Sequence, residues 1–133
     1  MKQKRFFTLE EARRQLPWLK AQMQRIATAR GDLACLRRDL EALLRKSRSN
    51  GHSGVDQELA AKRQETEAAA DRLAQLAQEV HDRGITLRDP DRGLVDFPSL
   101  REGREVYLCW LVSEERIGFW HEVDTGFAGR QPL

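Results

Sequence analysis

Apolar residues recur at steps of three, four and seven along the first two thirds of the chain, and no other feature constrains the fold as much. Residues repeated at such steps return to one face of an α-helix. The first series is Leu19, Met23, Ile26, Leu33, Leu36, Leu40, Leu43 and Leu44. The second series is Leu59, Lys62, Thr66, Ala69, Leu73, Leu76 and Val80. Segment 47–54, rich in serine and glycine, lies between them and predicts a turn, so we expect a long antiparallel helical hairpin of coiled-coil type.

A capping-box sequence marks the beginning of the first helix. Thr8 and Glu11 are three residues apart, which lets each side chain accept a hydrogen bond from the other's free backbone N–H. Pro17 follows, and a proline ring disrupts a helix interior. Pro17 therefore either kinks the helix or begins the long one after a short N-terminal helix. We predict a first helical arm over 9–48, kinked at Pro17, and a second over 55–83.

Charge also favours pairing of the two helices. Residues 1–48 carry 13 basic and 5 acidic side chains, whereas residues 55–83 carry 4 basic and 7 acidic ones. The middle of the second series includes small side chains, which let two helices approach each other closely. Apolar positions of the hairpin are left over for contact with a partner. A two-helix hairpin buries little surface by itself, so the pattern predicts a homo-oligomer or another protein as the partner of the hairpin.

Other partners receive little support from the sequence. The net charge is only +2, and no aromatic residues are interleaved with the basic ones, which argues against nucleic acid. No apolar run of about 18 residues is present, so no membrane span is expected. The two cysteines cannot form a disulfide framework, which makes a reducing cytoplasm the default location.

The last third of the chain has a composition typical of strands and turns. Residues 84–133 hold six of the nine aromatic residues, six of the nine glycines and three of the four prolines. We predict an α+β fold, in which the helical hairpin is followed by a small antiparallel β-sheet of about four strands. Two β-hairpins occupy 85–123 and a C-terminal tail occupies 124–133, all within one domain over 1–133.

The alternation of apolar residues suggests a register for each hairpin. In the first, Leu87 pairs with Val95, and Gly93 takes a left-handed conformation in the turn. In the second, Val112 pairs with Ile117, which would place Trp110 opposite Phe119, Leu108 opposite His121 and Cys109 opposite Trp120. A slip of one residue would exchange the two faces of this hairpin, and both faces are substantially apolar.

Several motifs resemble a known family. In order they are Thr8-Leu9-Glu10-Glu11-Ala12, Leu16-Pro17, Gly93-Leu94-Val95-Asp96-Phe97-Pro98, Leu108-Cys109-Trp110, Glu114, Trp120-His121-Glu122 and Gly126-Phe127-Ala128-Gly129-Arg130. They resemble the uncharacterised bacterial proteins of domain-of-unknown-function family 2203 over nearly the whole chain. The resemblance implies a small cytoplasmic protein with helices followed by a sheet, and it implies no established activity.

His121 is the most distinctive candidate for chemistry, because imidazole binds divalent metals and titrates near neutral pH. Carboxylates that could share a metal with it are Asp96, Glu114, Glu122 and Asp124. We take Asp96, Glu114, His121 and Glu122 as the candidate metal set, although strand alternation separates His121 from Glu122. The alternative interpretation is a partly buried histidine that is hydrogen-bonded to a carboxylate. No cofactor motif is evident, so a divalent metal is the only cofactor suggested.

Other side chains suggest weaker sites. Trp110, Trp120 and Arg130 are the candidate ligand-binding residues. The two tryptophans could stack on a ligand, although cross-strand aromatic residues more often stabilise a sheet, and Arg130 could bind a ligand, a partner or a carboxylate of the sheet. Cys109 is either a nucleophile or a buried, inert thiol. No set of catalytic residues emerges. We expect a non-enzymatic protein-interaction or self-associating module, with a metal- or small-ligand-binding protein around His121, enzyme or not, as the alternative.

Overall fold

The computed structural model describes residues 4–50 and 54–133. The chain divides into two compact units, one of Met1–Gln24 with Ala77–Leu133 and the other of Arg25–Leu76. We call the described part of the first the sheet unit and the described part of the second the helical arm. Each unit contains part of both helices.

The first helix, α1, spans Leu9–Asn50 and begins at the capping box. The backbone N–H of Thr8 donates to Oε1 of Glu11 at 2.9 Å, and the N–H of Glu11 donates to Oγ1 of Thr8 at 3.1 Å. α1 continues through Pro17 as one helix, in place of the short and long helices that the proline suggested. Pro17 and Arg13 are both exposed, so water can bond the Arg13 carbonyl that the proline ring leaves without an amide donor.

The second helix, α2, spans Asp56–Asp82. In the sheet unit, Nε2 of Gln22 donates to Oε2 of Glu79 at 2.7 Å, and in the helical arm Lys62 pairs with Asp39 at 3.9 Å. An early residue of α1 thus contacts a late residue of α2, and a later residue of α1 contacts an earlier residue of α2. This order confirms the antiparallel hairpin. α1 extends into the predicted turn as far as Asn50, and residues 51–53 of that turn lie outside the described residues.

The sheet unit contains five antiparallel strands in sequential order, which confirms the α+β fold but gives five strands rather than four. They are β1 Thr86–Asp89, β2 Leu94–Arg101, β3 Arg104–Leu111, β4 Phe119–Glu122 and β5 Gln131–Pro132. The C-terminal tail supplies the extra strand, after a short 3-10 helix at Phe127–Gly129. β2 and β3 form a tight hairpin at Glu102 and Gly103, whose φ angles are 52° and 76°. The pairing of β2 with β3 was not predicted from the sequence.

The register predicted for the first hairpin is confirmed, and the register predicted for the second hairpin is wrong by one residue. Leu87 lies opposite Val95, and Gly93 has a φ of 68°. In the β3–β4 pair, Leu108 lies opposite Trp120, with the further pairs Cys109 with Phe119 and Tyr107 with His121. This register puts Leu108 and Trp120 on the same face, where both are buried.

The observed register of β3 and β4 decides which residues share a face of the sheet. The inner face carries Val95, Phe97, Leu108, Trp110 and Trp120, all buried, and Phe97 meets the ring of Phe7 edge-on at 5.3 Å. Strand alternation sends their neighbours to the opposite side. This outer face carries Asp96, Tyr107, Cys109, Phe119 and His121. None of the described helices has a segment long and apolar enough to cross a membrane.

Candidate functional site

Three polar side chains from three adjacent strands come together on the outer face. Asp96 on β2 lies directly opposite Cys109 on β3, and His121 on β4 lies opposite the neighbouring outer-face residue, Tyr107. Asp96, Cys109 and His121 are only 1%, 0% and 2% exposed. Their ligand atoms all lie within 4.8 Å of one another. We call these three residues the polar cluster.

Hydrogen bonds hold the histidine and the aspartate in fixed orientations. Nε2 of His121 lies 3.0 Å from Oδ1 of Asp96, and Nδ1 lies 2.8 Å from the backbone oxygen of Glu122. The other carboxylate oxygen of Asp96 accepts a hydrogen bond of 2.9 Å from Nε of Arg88. The buried carboxylate is therefore paired on both of its oxygens, as a buried charge must be.

Arg88 and Tyr107 cover the polar cluster. The Arg88 guanidinium lies 5.1 Å from the centre of the Tyr107 ring, a cation–π distance, and the ring centres of Tyr107 and His121 are 5.5 Å apart. The Arg88 side chain is 46% exposed, so it joins the buried carboxylate to solvent.

Cys109 is a protonated, shielded thiol. Burial, reinforced by the negative charge of Asp96, raises the pKa of Cys109 from its ordinary value of 9.0 to about 12. A nucleophilic cysteine needs a lowered pKa and access to its substrate. Of the two interpretations of Cys109, the environment favours the inert thiol.

Only part of the predicted metal set comes together. Asp96 and His121 meet, but Glu114 is paired with Arg130, whose NH2 lies 2.8 and 2.9 Å from the two carboxylate oxygens. Oε1 of Glu114 also accepts a 2.8 Å bond from the backbone N–H of Leu111. Glu122 is paired with Arg104, and strand alternation places it on the other face from His121. Glu114 and Glu122 thus act in separate ion pairs.

Cys109, and not Glu114 or Glu122, lies beside Asp96 and His121, and no role beside them was predicted for this cysteine. The cause was the register. With Cys109 set opposite Trp120, nothing connected it to Asp96 and His121. The real signal was the position of Asp96, Cys109 and His121 at alternating places on three strands, which becomes visible only when β2 is paired with β3.

The three residues proposed to bind a ligand lie in different surroundings. Trp110 is fully buried and its indole N–H donates to the backbone oxygen of Glu114 at 3.0 Å. Trp120 is also buried, with the Arg101 guanidinium 4.3 Å from its ring centre. The Arg130 guanidinium lies over Phe119, 4.0 Å from the ring centre, and pins the tail through Glu114. Ligand binding by these residues stays a prediction.

A second feature is the surface of the helical arm. Within the arm, the α1 residues Ile26, Ala29 and Leu33 are buried. Further along, five leucines of the arm are only half-buried: Leu36, Leu40, Leu43, Leu44 and Leu73. We call these five the leucine stripe.

The comparison with known proteins agrees with the resemblance in the motifs. A model of a family described as "Uncharacterized conserved protein (DUF2203)" matches residues 5–133. Neither the curated proteins nor the solved structures contain a significant match. Since the family model covers nearly the whole chain, this protein belongs to the uncharacterised conserved family DUF2203.

Proposed function

We propose that this protein is a non-enzymatic, self-associating module of the cytoplasm, in which the helical arms of two copies pair to form a four-helix bundle. The observation that supports this proposal is the leucine stripe. Two helices packed on each other cover one side of each apolar face, and a third or fourth helix is needed to cover the rest. A second copy of the arm supplies two such helices.

The composition of α2 explains why the stripe is incompletely covered within one chain. The seam positions of α2 include Lys62, Thr66 and Ala69, which are polar or small. The Thr66 hydroxyl donates to the Lys62 backbone oxygen at 2.7 Å, so it is satisfied within its own helix. Fully burying a leucine is worth about 1.5–3 kcal/mol, and part of that gain remains for each leucine of the stripe.

Charge distribution favours a second copy over an unrelated protein. In the arm, residues 25–50 of α1 carry seven basic and three acidic side chains, and residues 56–76 of α2 carry three basic and five acidic ones. In a two-fold bundle, α1 of one copy can lie beside α2 of the other, so the excess charges are opposite across the new contact.

Two further features support the non-enzymatic and cytoplasmic parts of the proposal. The protonated thiol of Cys109 is buried, and Cys35 is exposed and free. Exposed free cysteines are typical of reducing compartments. Oδ1 of Asp96 faces Nε2 of His121 and Oδ2 accepts a hydrogen bond from Arg88, so neither carboxylate oxygen is left for an organic substrate.

The molar mass in solution tests the proposal. We expect sedimentation equilibrium of the full chain at micromolar concentration to give twice the 15.4 kDa of one chain. The variant Leu40→Glu puts a charge in the leucine stripe and should give the mass of one chain. Ala42→Glu, on the exposed side of the same turn, is the matched control and should stay dimeric.

Helix content separates loss of association from loss of folding. Circular dichroism of Leu40→Glu at a concentration where it is monomeric should retain both helices. If Leu40→Glu unfolds, the milder variant Leu40→Gln replaces it in the same comparison. A wild-type protein that stays monomeric at about 100 µM, or an Ala42→Glu variant that dissociates as readily as Leu40→Glu, would overturn the proposal.

A further inference from the structure

The contact between His121 and Asp96 needs a positive charge between its two atoms. Nδ1 of His121 faces a backbone carbonyl, which can only accept, so Nδ1 carries a hydrogen. In a neutral imidazole the other nitrogen, Nε2, then presents a lone pair, and it points at a carboxylate oxygen 3.0 Å away. Two electron-pair donors at this distance are held by a cation between them, which is either a proton or a metal ion.

The polar cluster has the donor set of a transition-metal site. It offers one nitrogen, one oxygen and one sulfur, all buried and all within 4.8 Å of one another. Imidazole and thiolate select zinc and similar ions, whereas magnesium and calcium prefer oxygen ligands alone. Ligand atoms about 2.0–2.3 Å from a tetrahedral zinc stand about 3.3–3.8 Å from one another. The separation of 3.0 Å between Nε2 and Oδ1 is a few tenths of an ångström shorter than this range, and the sulfur, at most 4.8 Å from the other two atoms, needs to move by up to about 1.5 Å.

The surroundings of the cluster match those of ligands in metal sites. A metal-binding histidine ordinarily donates its second ring N–H to a backbone carbonyl or a carboxylate, which fixes the tautomer. Nδ1 of His121 has such a partner in the carbonyl of Glu122. A ligating carboxylate is likewise hydrogen-bonded on its free oxygen, and Arg88 holds Oδ2 of Asp96 in this way while Oδ1 faces the cluster.

We propose that Oδ1 of Asp96, Sγ of Cys109 and Nε2 of His121 bind one divalent transition-metal ion, with Zn²⁺ as the best fit. On binding, the S–H bond of Cys109 breaks and a sulfur–metal bond forms. The metal also replaces the proton between His121 and Asp96, so two protons pass to solvent and nothing is oxidised. The three protein ligands leave the fourth position of a tetrahedral ion for water. This binding site is independent of the leucine stripe.

Cobalt(II) is the probe for this site, because it occupies zinc sites and a thiolate ligand gives it a charge-transfer absorption in the near ultraviolet. The full chain without a histidine tag is treated with a chelator and titrated with Co²⁺. The main variant is Cys35→Ser, which removes the exposed thiol and leaves Cys109 as the only cysteine. We expect one Co²⁺ per chain, a thiolate band in Cys35→Ser equal to that of the wild type, and loss of the band when Zn²⁺ is added.

A matched pair of histidine variants tests the second ligand. His121→Gln should lose at least a tenfold factor in Co²⁺ affinity, whereas His81→Gln, which changes an exposed histidine of α2, should bind as the wild type does. Circular dichroism shows whether each variant is folded. If His121→Gln does not fold, the Cys35→Ser spectrum decides alone. The proposal is overturned if Cys35→Ser shows no thiolate band, or if His81→Gln reduces binding as much as His121→Gln does.

Discussion

Cys109 and Asp96 lie directly opposite each other on adjacent strands, both almost without exposed surface. This pairing places a buried thiol beside a buried carboxylate, and burial, reinforced by the charge of Asp96, raises the pKa of Cys109 to about 12. It also ties the chemistry of the cysteine to the register of β2 and β3. Cys35, in the helical arm, is exposed. The two cysteines of the chain should therefore behave very differently towards a thiol reagent.

In the metal-free native protein at neutral pH, we expect one cysteine per chain to react rapidly with a disulfide reagent and the second to react only after denaturation. The thiolate is the reactive form, and both burial and the raised pKa suppress it at Cys109. The rate is followed by the absorbance of the released thiol. Cys35→Ser should remove the rapid phase entirely. A Cys109 that reacts as fast as a thiol in the unfolded chain would contradict this expectation.

The capping box should make stability depend on pH in the acid range. Hydrogen bonds from Thr8, mainly from its backbone N–H, lower the pKa of Glu11 below its ordinary value of 4.5. A lowered pKa in the folded state gives stability that is present above 4.5 and is lost as the pH falls through the folded value. We expect Glu11→Gln to be less stable than the wild type at neutral pH, and the difference between them to vanish in acid. Urea unfolding across this range measures it, and a difference that stays constant with pH would count against the capping box.

Two glycine-to-alanine changes should have opposite effects on stability. Gly93 has a φ of 68°, and an added Cβ would lie 2.6 Å from Cγ1 of Val112. Gly93→Ala should therefore destabilise the protein by about 1–3 kcal/mol. Gly31 lies inside α1 with open space around its Cα, so Gly31→Ala should stabilise the helix by about 1 kcal/mol. Urea midpoints compare both with the wild type, and equal shifts for the two variants would refute the argument.

Removing Arg130 should cost more than removing an arginine from an exposed ion pair. The side chains of Arg130 and Glu114 are 13% and 22% exposed, so Arg130→Met leaves a largely buried carboxylate unpaired, at a cost of about 1–3 kcal/mol. Adding Glu114→Gln should recover part of this loss. Arg104→Met is the control, because Arg104 is 55% exposed and its pair with Glu122 should contribute under about 1 kcal/mol. Equal losses in unfolding free energy for Arg130→Met and Arg104→Met would contradict the expected role of burial.

Local patterns were sufficient for most of the secondary structure. The capping box at Thr8 and the series of apolar residues from Leu19 predicted α1, and the turn at Gly93 predicted the first β-hairpin with its register. These features depend on residues a few positions apart, so the sequence carries them directly. Pro98, inside β2, and the short loop at Glu102 hid the pairing of β2 with β3, because a proline within a run of residues argues against a central strand.

The candidate site was only half predictable, because its side chains come from strands that are distant in the sequence. Asp96 and His121 were selected as partners for a metal, and they do meet, whereas Glu114 and Glu122 form ion pairs with Arg130 and Arg104. A carboxylate can either form an ion pair with an arginine or bind a metal ion, and the sequence does not distinguish the two. Which of them each carboxylate meets depends on residues far apart in the chain.

The sequence by itself determined the helical hairpin, the change to strands after Gly84 and the surplus of leucines in the arm, because helical and strand periodicity act between near neighbours. Tertiary structure alone decided that Cys109 joins Asp96 and His121. Both faces of the second hairpin are apolar, so alternation could not choose between two registers one residue apart. Burial of Leu108, Trp110 and Trp120 together on the inner face made the choice, and it turned the cysteine and the histidine to the same side of the sheet.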